Sequence, residues 1–288
     1  MQPYNPAVFH YLRAIRSEGA RPPLICFFPG VPGARYLAEC LPPDQPVFEF
    51  YEPNMDGIAV FPTVEDLAAT FMQEMRALQP SGPYQLCGYS TFGLVAYEMA
   101  RMLVAEGEDV GLLALFDIWH PAFRQRLNPR EYVRYRFMRL ADRSRKYGRL
   151  LTRGRIGEFA TTFRDFVIRR AKLIGWRLLR SMFRKRNQPV PKTMQVIESV
   201  TSHKTYNPPP YPQRLVVVRP KDLFEGLRNR TVGWDLCATA GVDVHFIKGD
   251  HGTMMKQPHV GEVGAKIAAY LAQPLTQSES PKPSLTAS

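Results

Sequence analysis

The chain has 288 residues, 45% of them hydrophobic and 22% charged, which is enough apolar sequence to bury a sizeable core. It contains no run of about 18 apolar residues, so neither a transmembrane helix nor stable membrane insertion is predicted. Residues 121–187 hold 21 Lys and Arg against four Asp and Glu, a net +17, which leaves −5 on the rest of a chain that totals +12. A mildly acidic body with one basic segment does not indicate a nucleic-acid-binding fold.

Cysteine usage and the first residues indicate the cellular compartment. Cys26, Cys40, Cys87 and Cys237 lack the spacing of a metal site, so no bound metal is predicted. Residues 1–6 lack the charged and apolar regions of a secretory signal. Reduced, buried thiols without a signal predict a cytoplasmic protein.

Short apolar runs alternate with helical patterns along much of the chain, which is typical of an α/β protein with a mainly parallel sheet. The predicted strands are residues 24–28, 47–50, 84–89, 110–116, 215–218 and 242–247, with 8–15 as an edge strand or a short helix. The predicted helices begin at Thr63, which serves as an N-cap, after Ser90, and at Val260.

The alternation stops after Asp117 and resumes at Leu215. Between them, the sequence from 121 to about 200 is Arg-rich and helical in pattern, with no buried-strand run. We interpret this insertion as a helical lid and call it the basic lid. Residues 1–272 are therefore predicted to form one domain, and the Ser-, Pro- and Thr-rich residues 273–288 a disordered tail.

One stretch turns a predicted strand into a predicted helix at a serine. It reads Gly88-Tyr89-Ser90-Thr91-Phe92-Gly93. The pattern is close to the G-x-S-x-G nucleophile elbow of α/β-hydrolases, whose tight turn exposes the serine hydroxyl above the sheet. Phe92 replaces the second glycine, and Gly93 follows one residue late. Taken alone, the pattern also fits an ordinary strand-to-helix turn with a surface serine.

The residues that follow the elbow, 94–101, resemble the thioesterase domains of nonribosomal peptide and polyketide synthases. The resemblance runs from about residue 21 to residue 271. It includes Pro22-Pro23-Leu24, Gly82-Pro83-Tyr84, Asp117, Tyr206-Asn207-Pro208, Gly233-Trp234 and Gly249-Asp250-His251. It implies an α/β-hydrolase fold and a serine thioesterase that takes an acyl or peptidyl chain from the phosphopantetheine arm of a carrier protein. Release through an acyl-serine, by hydrolysis or cyclisation, needs no further cofactor.

A serine nucleophile needs a base and an acid that orients the base, which α/β-hydrolases supply in the chain order Ser, acid, His. His251 follows the last predicted strand and is the predicted base for Ser90. Two acids compete by position, because Asp117 and Asp222 each follow a predicted strand. The resemblance favours Asp117, since synthase thioesterases usually place the acid after the earlier strand.

Two backbone N–H groups are predicted to form the oxyanion hole. One belongs to Thr91, directly after the nucleophile. The other belongs to Val31, or failing that Gly30, in a turn that looks like the F-x-P-x-x-G loop of the family. Phe92 is predicted to line the acyl pocket and to crowd the packing of the elbow helix on its strand. In the basic lid, the residues predicted to dock an acidic carrier protein are Arg143, Arg145 and Lys146.

Three alternatives to the thioesterase remain open from sequence. An acyltransferase would use the same acyl-serine but pass the acyl group to an amine, an alcohol or another thiol. A non-catalytic hydrolase-like protein would have its pocket blocked by Phe92 and would use the basic lid for docking. A membrane-surface binder would use amphipathic basic segments such as residues 166–174.

Overall fold

The computed structural model describes residues 4–28, 32–51, 63–152, 206–221 and 229–273, together with residues 156, 157, 160, 161, 164 and 167. A seven-stranded sheet lies at its centre, in the order β1-β3-β2-β4-β5-β6-β7. The strands are β1 (Leu12–Arg16), β2 (Leu24–Phe27), β3 (Val47–Phe50), β4 (Tyr84–Tyr89), β5 (Val110–Phe116), β6 (Leu215–Pro220) and β7 (Val242–Ile247). β1 pairs antiparallel with β3, and the other described pairs are parallel. The predicted α/β fold is therefore confirmed, and the segment at 8–15 contributes an edge strand.

The helices lie between the strands or after the last of them, and the first helix, after β2, was not predicted from the sequence. They are α1 (Gly33–Glu39), α2 (Val64–Leu78), α3 (Gly93–Ala105), α4 (Pro129–Thr152) and α5 (Val260–Leu271). Thr63 is the N-cap of α2, as predicted, because its side-chain oxygen accepts a hydrogen bond from the N–H of Asp66 at 3.0 Å.

Both faces of the sheet are covered. Side chains alternate between the faces along each strand, so Leu86 and Leu113 join the core under α2 and α3. Their neighbours Cys87 and Ala114 join a second core under α1 and α5. Burial on both faces explains why these strands read as continuous apolar runs rather than as alternating ones.

Helix α4 belongs to the segment called the basic lid, and it lies between β5 and β6 in the described part of the chain. One side of α4 packs on the loop after β5. There Tyr135 and Met138 are buried, and the Tyr135 ring lies 5.4 Å from the ring of Trp119. The other side of α4 exposes apolar side chains, among them Val133 and Phe137.

Several sequence predictions lie outside the described residues. They are the oxyanion-loop residues 29–31, the alternative acid Asp222, most of the lid beyond residue 152 and the tail from residue 274. In the described part of the chain, no helix has the length and apolar character needed to cross a membrane. In that same part, no group of His, Cys, Asp and Glu side chains is arranged to hold a metal ion.

Candidate active site

Ser90 lies where β4 gives way to a helix. The strand ends at Tyr89, and a single 3-10 turn over Ser90–Phe92 leads directly into α3. The backbone φ of Ser90 is 55°, in the left-handed region that residues other than glycine rarely adopt. A strained strand-to-helix turn at a serine is the geometry of a nucleophile elbow, and it supports the sequence interpretation of this stretch.

Two glycines allow the elbow helix to pack against its strand. A Cβ added to Gly88 would lie 2.4 Å from the Cα of Gly93, so the two backbones meet where neither has a side chain. Phe92 has ordinary helical backbone angles, φ −73° and ψ −12°, and its partly buried ring packs against the core under α2 and α3. The crowding expected at Phe92 therefore does not occur, because the close contact with β4 falls on Gly93. Its place in the acyl pocket stays a prediction.

Replacing Gly88 with alanine tests this close contact. The new Cβ forces the backbone of Gly93 to move, so we expect the free energy of unfolding to fall by about 1–3 kcal/mol and turnover to fall with it. Gly261→Ala in α5 is the matched control, because a Cβ there meets nothing within 4 Å. We expect that control to raise stability by about 0.5–1 kcal/mol. Urea unfolding of both variants measures the difference, and equal effects would contradict the contact.

His251 and Asp117 form a hydrogen-bonded pair. His251 Nδ1 lies 2.6 Å from Asp117 Oδ2. The Asp117 side chain is 10% exposed, whereas the His251 side chain is 51% exposed and reaches solvent. A carboxylate at Nδ1 favours the tautomer with its proton on Nδ1, which makes Nε2 the basic nitrogen. The structure thus brings together the predicted base and the acid favoured by the family resemblance.

The backbone around Asp117 is held by two neighbouring segments. Its φ is 46°, and its N–H donates to the carbonyl of Val218 on β6 at 2.8 Å. The next carbonyl, that of Ile118, accepts a hydrogen bond from the indole N–H of the fully buried Trp234 at 2.9 Å. These contacts turn the chain sharply after β5, so that the carboxylate faces the histidine loop.

The loop that carries His251 is a tight turn stabilised by its own side chains. Oδ1 of Asp250 accepts hydrogen bonds from the Gly252 N–H at 2.9 Å and from the Thr253 hydroxyl at 3.0 Å. Gly249 begins the turn with φ 102°, which favours glycine. The Asp250 side chain therefore shapes the loop that carries His251.

Three buried aromatic rings pack together next to the site, each at the end of a strand. Phe28 follows β2, Tyr89 ends β4 and Phe116 ends β5. Phe28 stacks on Phe116 with ring centroids 5.6 Å apart and meets Tyr89 edge-on at 6.2 Å. Tyr89 and Phe116 directly precede Ser90 and Asp117, so the same layer supports the predicted nucleophile and the predicted acid.

Tyr89 also contacts His251, the predicted base, and the sequence did not indicate this contact. Its ring stacks on the His251 imidazole, with centroids 4.9 Å apart and planes 19° apart. Its hydroxyl donates a hydrogen bond to the backbone carbonyl of His251. The available sequence signal was weak, because a tyrosine before the elbow serine also reads as the last apolar residue of a strand.

One of the two predicted oxyanion donors lies within the described residues. Thr91 sits in the first turn of the elbow helix, where backbone N–H groups lack carbonyl partners within the helix and favour negative charge. Val31 and Gly30 lie outside the described residues. Gly33, at the start of α1, lies near the histidine loop, because a Cβ on it would be 3.5 Å from the Cβ of Met255. The chain after the predicted oxyanion loop thus borders the same site.

Two other histidines have structural partners. His245 lies on β7, as predicted, and its Nε2 is 2.8 Å from the hydroxyl of Tyr270. His120 Nδ1 accepts a hydrogen bond from the Ala122 N–H at 3.2 Å, and burial lowers the pKa of His120 to about 4. His120 is therefore neutral at pH 7. Neither has the pairing with a carboxylate that distinguishes His251.

Known proteins similar to this chain include large synthetases and solved thioesterase domains. Malpibaldin synthetase from Mortierella alpina is 39% identical over 108 residues, which cover 36% of this chain and 2% of that protein. The dimodular nonribosomal peptide synthase of Bacillus subtilis (strain 168) is 33% identical over 116 residues, covering 38% of this chain and 5% of that protein. The matched stretch is thus a small part of each synthetase.

Solved structures agree with the fold over most of the chain. The NocB thioesterase domain in covalent complex with a fluorophosphonate nocardicin G analog has a TM-score of 0.58 and 21% identity, covering 91% of this chain and 100% of that one. The type II thioesterase BorB from the borrelidin biosynthetic cluster has a TM-score of 0.55 and 17% identity, covering 91% and 96%. The family model for the thioesterase domain matches residues 22–271, so the chain belongs to the thioesterase domain family, whose members are enzymes, and it has the α/β-hydrolase fold.

Proposed function

We propose that this enzyme is a serine thioesterase that releases an acyl or peptidyl chain from the phosphopantetheine thioester of a carrier protein, in nonribosomal peptide or polyketide biosynthesis. The observation that carries the proposal is the 2.6 Å pair between His251 and Asp117, next to an elbow that presents Ser90. A serine hydroxyl is a weak nucleophile until an adjacent base takes its proton. The elbow and the acid follow the adjacent strands β4 and β5, and the loop after β7 brings the base to the acid.

Acylation of Ser90 proceeds through two proton transfers at one nitrogen. Nε2 of His251 takes the proton of the Ser90 hydroxyl as the oxygen attacks the thioester carbonyl, and Asp117 stabilises the imidazolium without becoming protonated. The N–H groups of Thr91 and Val31 hold the developing oxyanion. The C–S bond then breaks, the thiol of the carrier arm leaves with the proton, and the acyl group remains on Ser90. In the release step, water or an internal nucleophile gives a proton to the same nitrogen and attacks the ester carbonyl, and Ser90 takes that proton back as its bond to the acyl group breaks.

The relatives support both the carrier-bound substrate and the acyl-serine intermediate. Two of them, malpibaldin synthetase and the dimodular nonribosomal peptide synthase, are synthetases by name. A thioester on a carrier arm is the substrate that the resemblance to synthase thioesterase domains implies. The NocB domain forms a covalent complex with a fluorophosphonate, a class of reagent that captures activated serines. A covalent intermediate on Ser90 is the corresponding step here.

The experiment supplies an acyl group on the phosphopantetheine arm of a purified carrier protein. We expect the enzyme to release the free carrier thiol and the acid or lactone in equal amounts. Thiol titration measures the first product, and mass spectrometry measures the second. A small free thioester is the second substrate. Cleavage of the small thioester alone would contradict the carrier part of the proposal, and cleavage of neither would contradict the thioesterase itself.

The basic lid is suited to an acidic carrier that ends in a phosphate-bearing arm. Arg143, Arg145 and Lys146 lie on α4. Earlier on the same helix, Arg134 and Arg136 are exposed beside the exposed side chains of Val133, Phe137 and Leu140. Charge of one sign attracts an acidic partner during approach, and exposed apolar residues add contact area once the partner has bound.

Reversing the charges at Arg143, Arg145 and Lys146 should slow acylation by the carrier-bound substrate and barely change turnover of a small free thioester. This follows because long-range attraction acts on the association rate. It is screened within about 10 Å at 0.1 M salt, so raising the salt concentration should imitate the variant. Lys266→Glu on the exposed side of α5 controls for a general charge effect. Equal losses on both substrates would mean that the lid shapes the pocket instead.

Phe92 is proposed to limit the size of the acyl group. Phe92→Gly should then admit bulkier acyl groups, because removal of the ring enlarges the space beside Ser90. If the ring serves only the core, the same change costs about 3–5 kcal/mol of stability and leaves the substrate range unchanged. Thermal unfolding together with a panel of acyl thioesters separates these outcomes, and an unchanged panel would remove Phe92 from the pocket.

A further inference from the structure

Tyr89 links the strand of the nucleophile to the loop of the base. It is the last residue of β4, directly before Ser90, and it is 8% exposed. Its ring stacks on the His251 imidazole at a centroid distance of 4.9 Å, and its hydroxyl donates to the His251 backbone carbonyl. One side chain therefore holds both the ring and the backbone of the base.

Filling of the core does not explain both contacts. A phenylalanine would occupy the same space in the aromatic layer, where the Tyr89 ring meets Phe28 edge-on at 6.2 Å. Core packing alone would not need the hydroxyl. The hydroxyl nevertheless donates to the backbone of His251, the loop residue whose position the proposed reaction requires to be fixed. A hydrogen bond from a buried donor to a backbone carbonyl restrains that carbonyl, and with it the start of the histidine side chain.

The imidazole needs a second restraint besides its acid. Asp117 fixes one ring atom, Nδ1, at 2.6 Å. The terminal torsion of a histidine is broad, so a single hydrogen bond leaves the plane of the ring free to turn about that bond. A parallel ring 4.9 Å away, with planes 19° apart, restrains this rotation. This restraint matters for His251 because half of its side chain faces solvent.

We propose that Tyr89 is a positioning residue for the base, one that sets the plane of the His251 ring and its distance from Ser90. The inference rests on the proposed triad. Because Tyr89 and Ser90 are adjacent, a shift of the strand end moves nucleophile and base together. Burial, with the nearby carboxylates of Asp117 and Asp250, raises the pKa of the Tyr89 phenol well above its usual value. The hydroxyl is thus a neutral donor over the working pH range.

Two substitutions separate the roles of the hydroxyl and the ring. Tyr89→Phe keeps the stacking and removes the hydrogen bond, so we expect kcat to fall by about 5-fold, the rate equivalent of one neutral hydrogen bond. Tyr89→Leu removes both contacts, and we expect kcat to fall by about 100-fold, the usual consequence of a small misplacement of a catalytic group. KM should remain unchanged for both, because Tyr89 holds the base and does not bind the acyl chain.

Tyr84→Phe is the matched control. Tyr84 lies at the opposite end of β4, is fully buried, and donates its hydroxyl to the backbone carbonyl of Gln79 at 3.1 Å. Tyr84→Phe therefore loses the same kind of hydrogen bond as Tyr89→Phe, from a tyrosine hydroxyl on β4 to a backbone carbonyl. We expect a comparable decrease in melting temperature for Tyr84→Phe and Tyr89→Phe, but an unchanged kcat only for Tyr84→Phe.

A spectroscopic readout makes the test independent of substrate. The proton shared between His251 Nδ1 and Asp117 should give a downfield proton NMR signal that is absent in His251→Ala. We expect the signal to shift in Tyr89→Phe, to be lost by exchange in Tyr89→Leu and to persist in Tyr84→Phe. Persistence at the wild-type position in Tyr89→Leu would overturn the proposal, as would a wild-type kcat in that variant. If the wild type cleaves no thioester, the proposed function fails, and the NMR signal still decides the role of Tyr89.

Discussion

Replacing Ser90 with alanine is expected to lower kcat for thioester cleavage by about 10⁴-fold or more, the usual loss when a triad nucleophile is removed. The physical reason lies in the elbow. Its φ of 55° directs one side chain above the sheet, and alanine puts no nucleophile there. The fold should be unaffected, since alanine removes one oxygen from a partly exposed position. Initial rates on a small thioester, with thermal unfolding alongside, measure both expectations.

Ser81→Ala is the control for this variant. Ser81 is exposed in the loop before β4, and its backbone carbonyl, rather than its side chain, accepts a hydrogen bond from Gln79. We expect wild-type turnover from it. His251→Ala should lose nearly as much activity as Ser90→Ala, and the double variant little more than either, because the two groups act in one step. A Ser90→Ala variant with more than a tenth of wild-type kcat would contradict the nucleophile assignment.

The Asp117→Asn variant should lose about 10⁴-fold in kcat while its fold persists. The carboxylate now accepts a hydrogen bond from His251 Nδ1 at 2.6 Å. An amide of the same shape can donate its N–H to the ring nitrogen, which favours the wrong tautomer and leaves Nε2 protonated. The backbone contacts of Asp117 with Val218 do not involve the side chain, so they persist. Steady-state rates and circular dichroism provide the comparison.

Asp222→Asn is the decisive partner experiment, because Asp222 was the other acid that the sequence left open. With Asp117 in contact with the base, we expect Asp222→Asn to retain most of its activity. A far larger loss in Asp222→Asn than in Asp117→Asn would reverse the assignment of the acid.

Much of the fold could be predicted from local pattern. β3 at Val47–Phe50, β5 at Val110–Phe116 and α5 at Val260–Leu271 begin and end at the predicted residues. A sheet buried on both faces produces unbroken apolar runs with abrupt polar or glycine ends, so its strands are readable without knowledge of their neighbours. The acid could be chosen only with the help of the family resemblance, since Asp117 and Asp222 both follow strands.

The remaining features depend on contacts between distant segments. That Gly93, rather than residue 92, meets Gly88 follows from how α3 lies on β4, which spacing within the motif does not reveal. The contact of Tyr89 with His251 joins residues 162 positions apart. The indole of Trp234 holds the loop after Asp117 through a hydrogen bond that spans 116 positions. Sequence pattern gives the period and the ends of elements, whereas these contacts depend on the packing of the completed sheet.

Fluorophosphonate labelling shows directly whether Ser90 is an activated nucleophile. The enzyme is incubated with an excess of reagent, its intact mass is measured, and the modified residue is located by peptide fragmentation. We predict one adduct per chain, located on Ser90, formed far more slowly in His251→Ala and Asp117→Asn and at the wild-type rate in Ser81→Ala. An unlabelled wild-type protein, or an adduct located on any other residue, would mean that Ser90 is not the activated nucleophile.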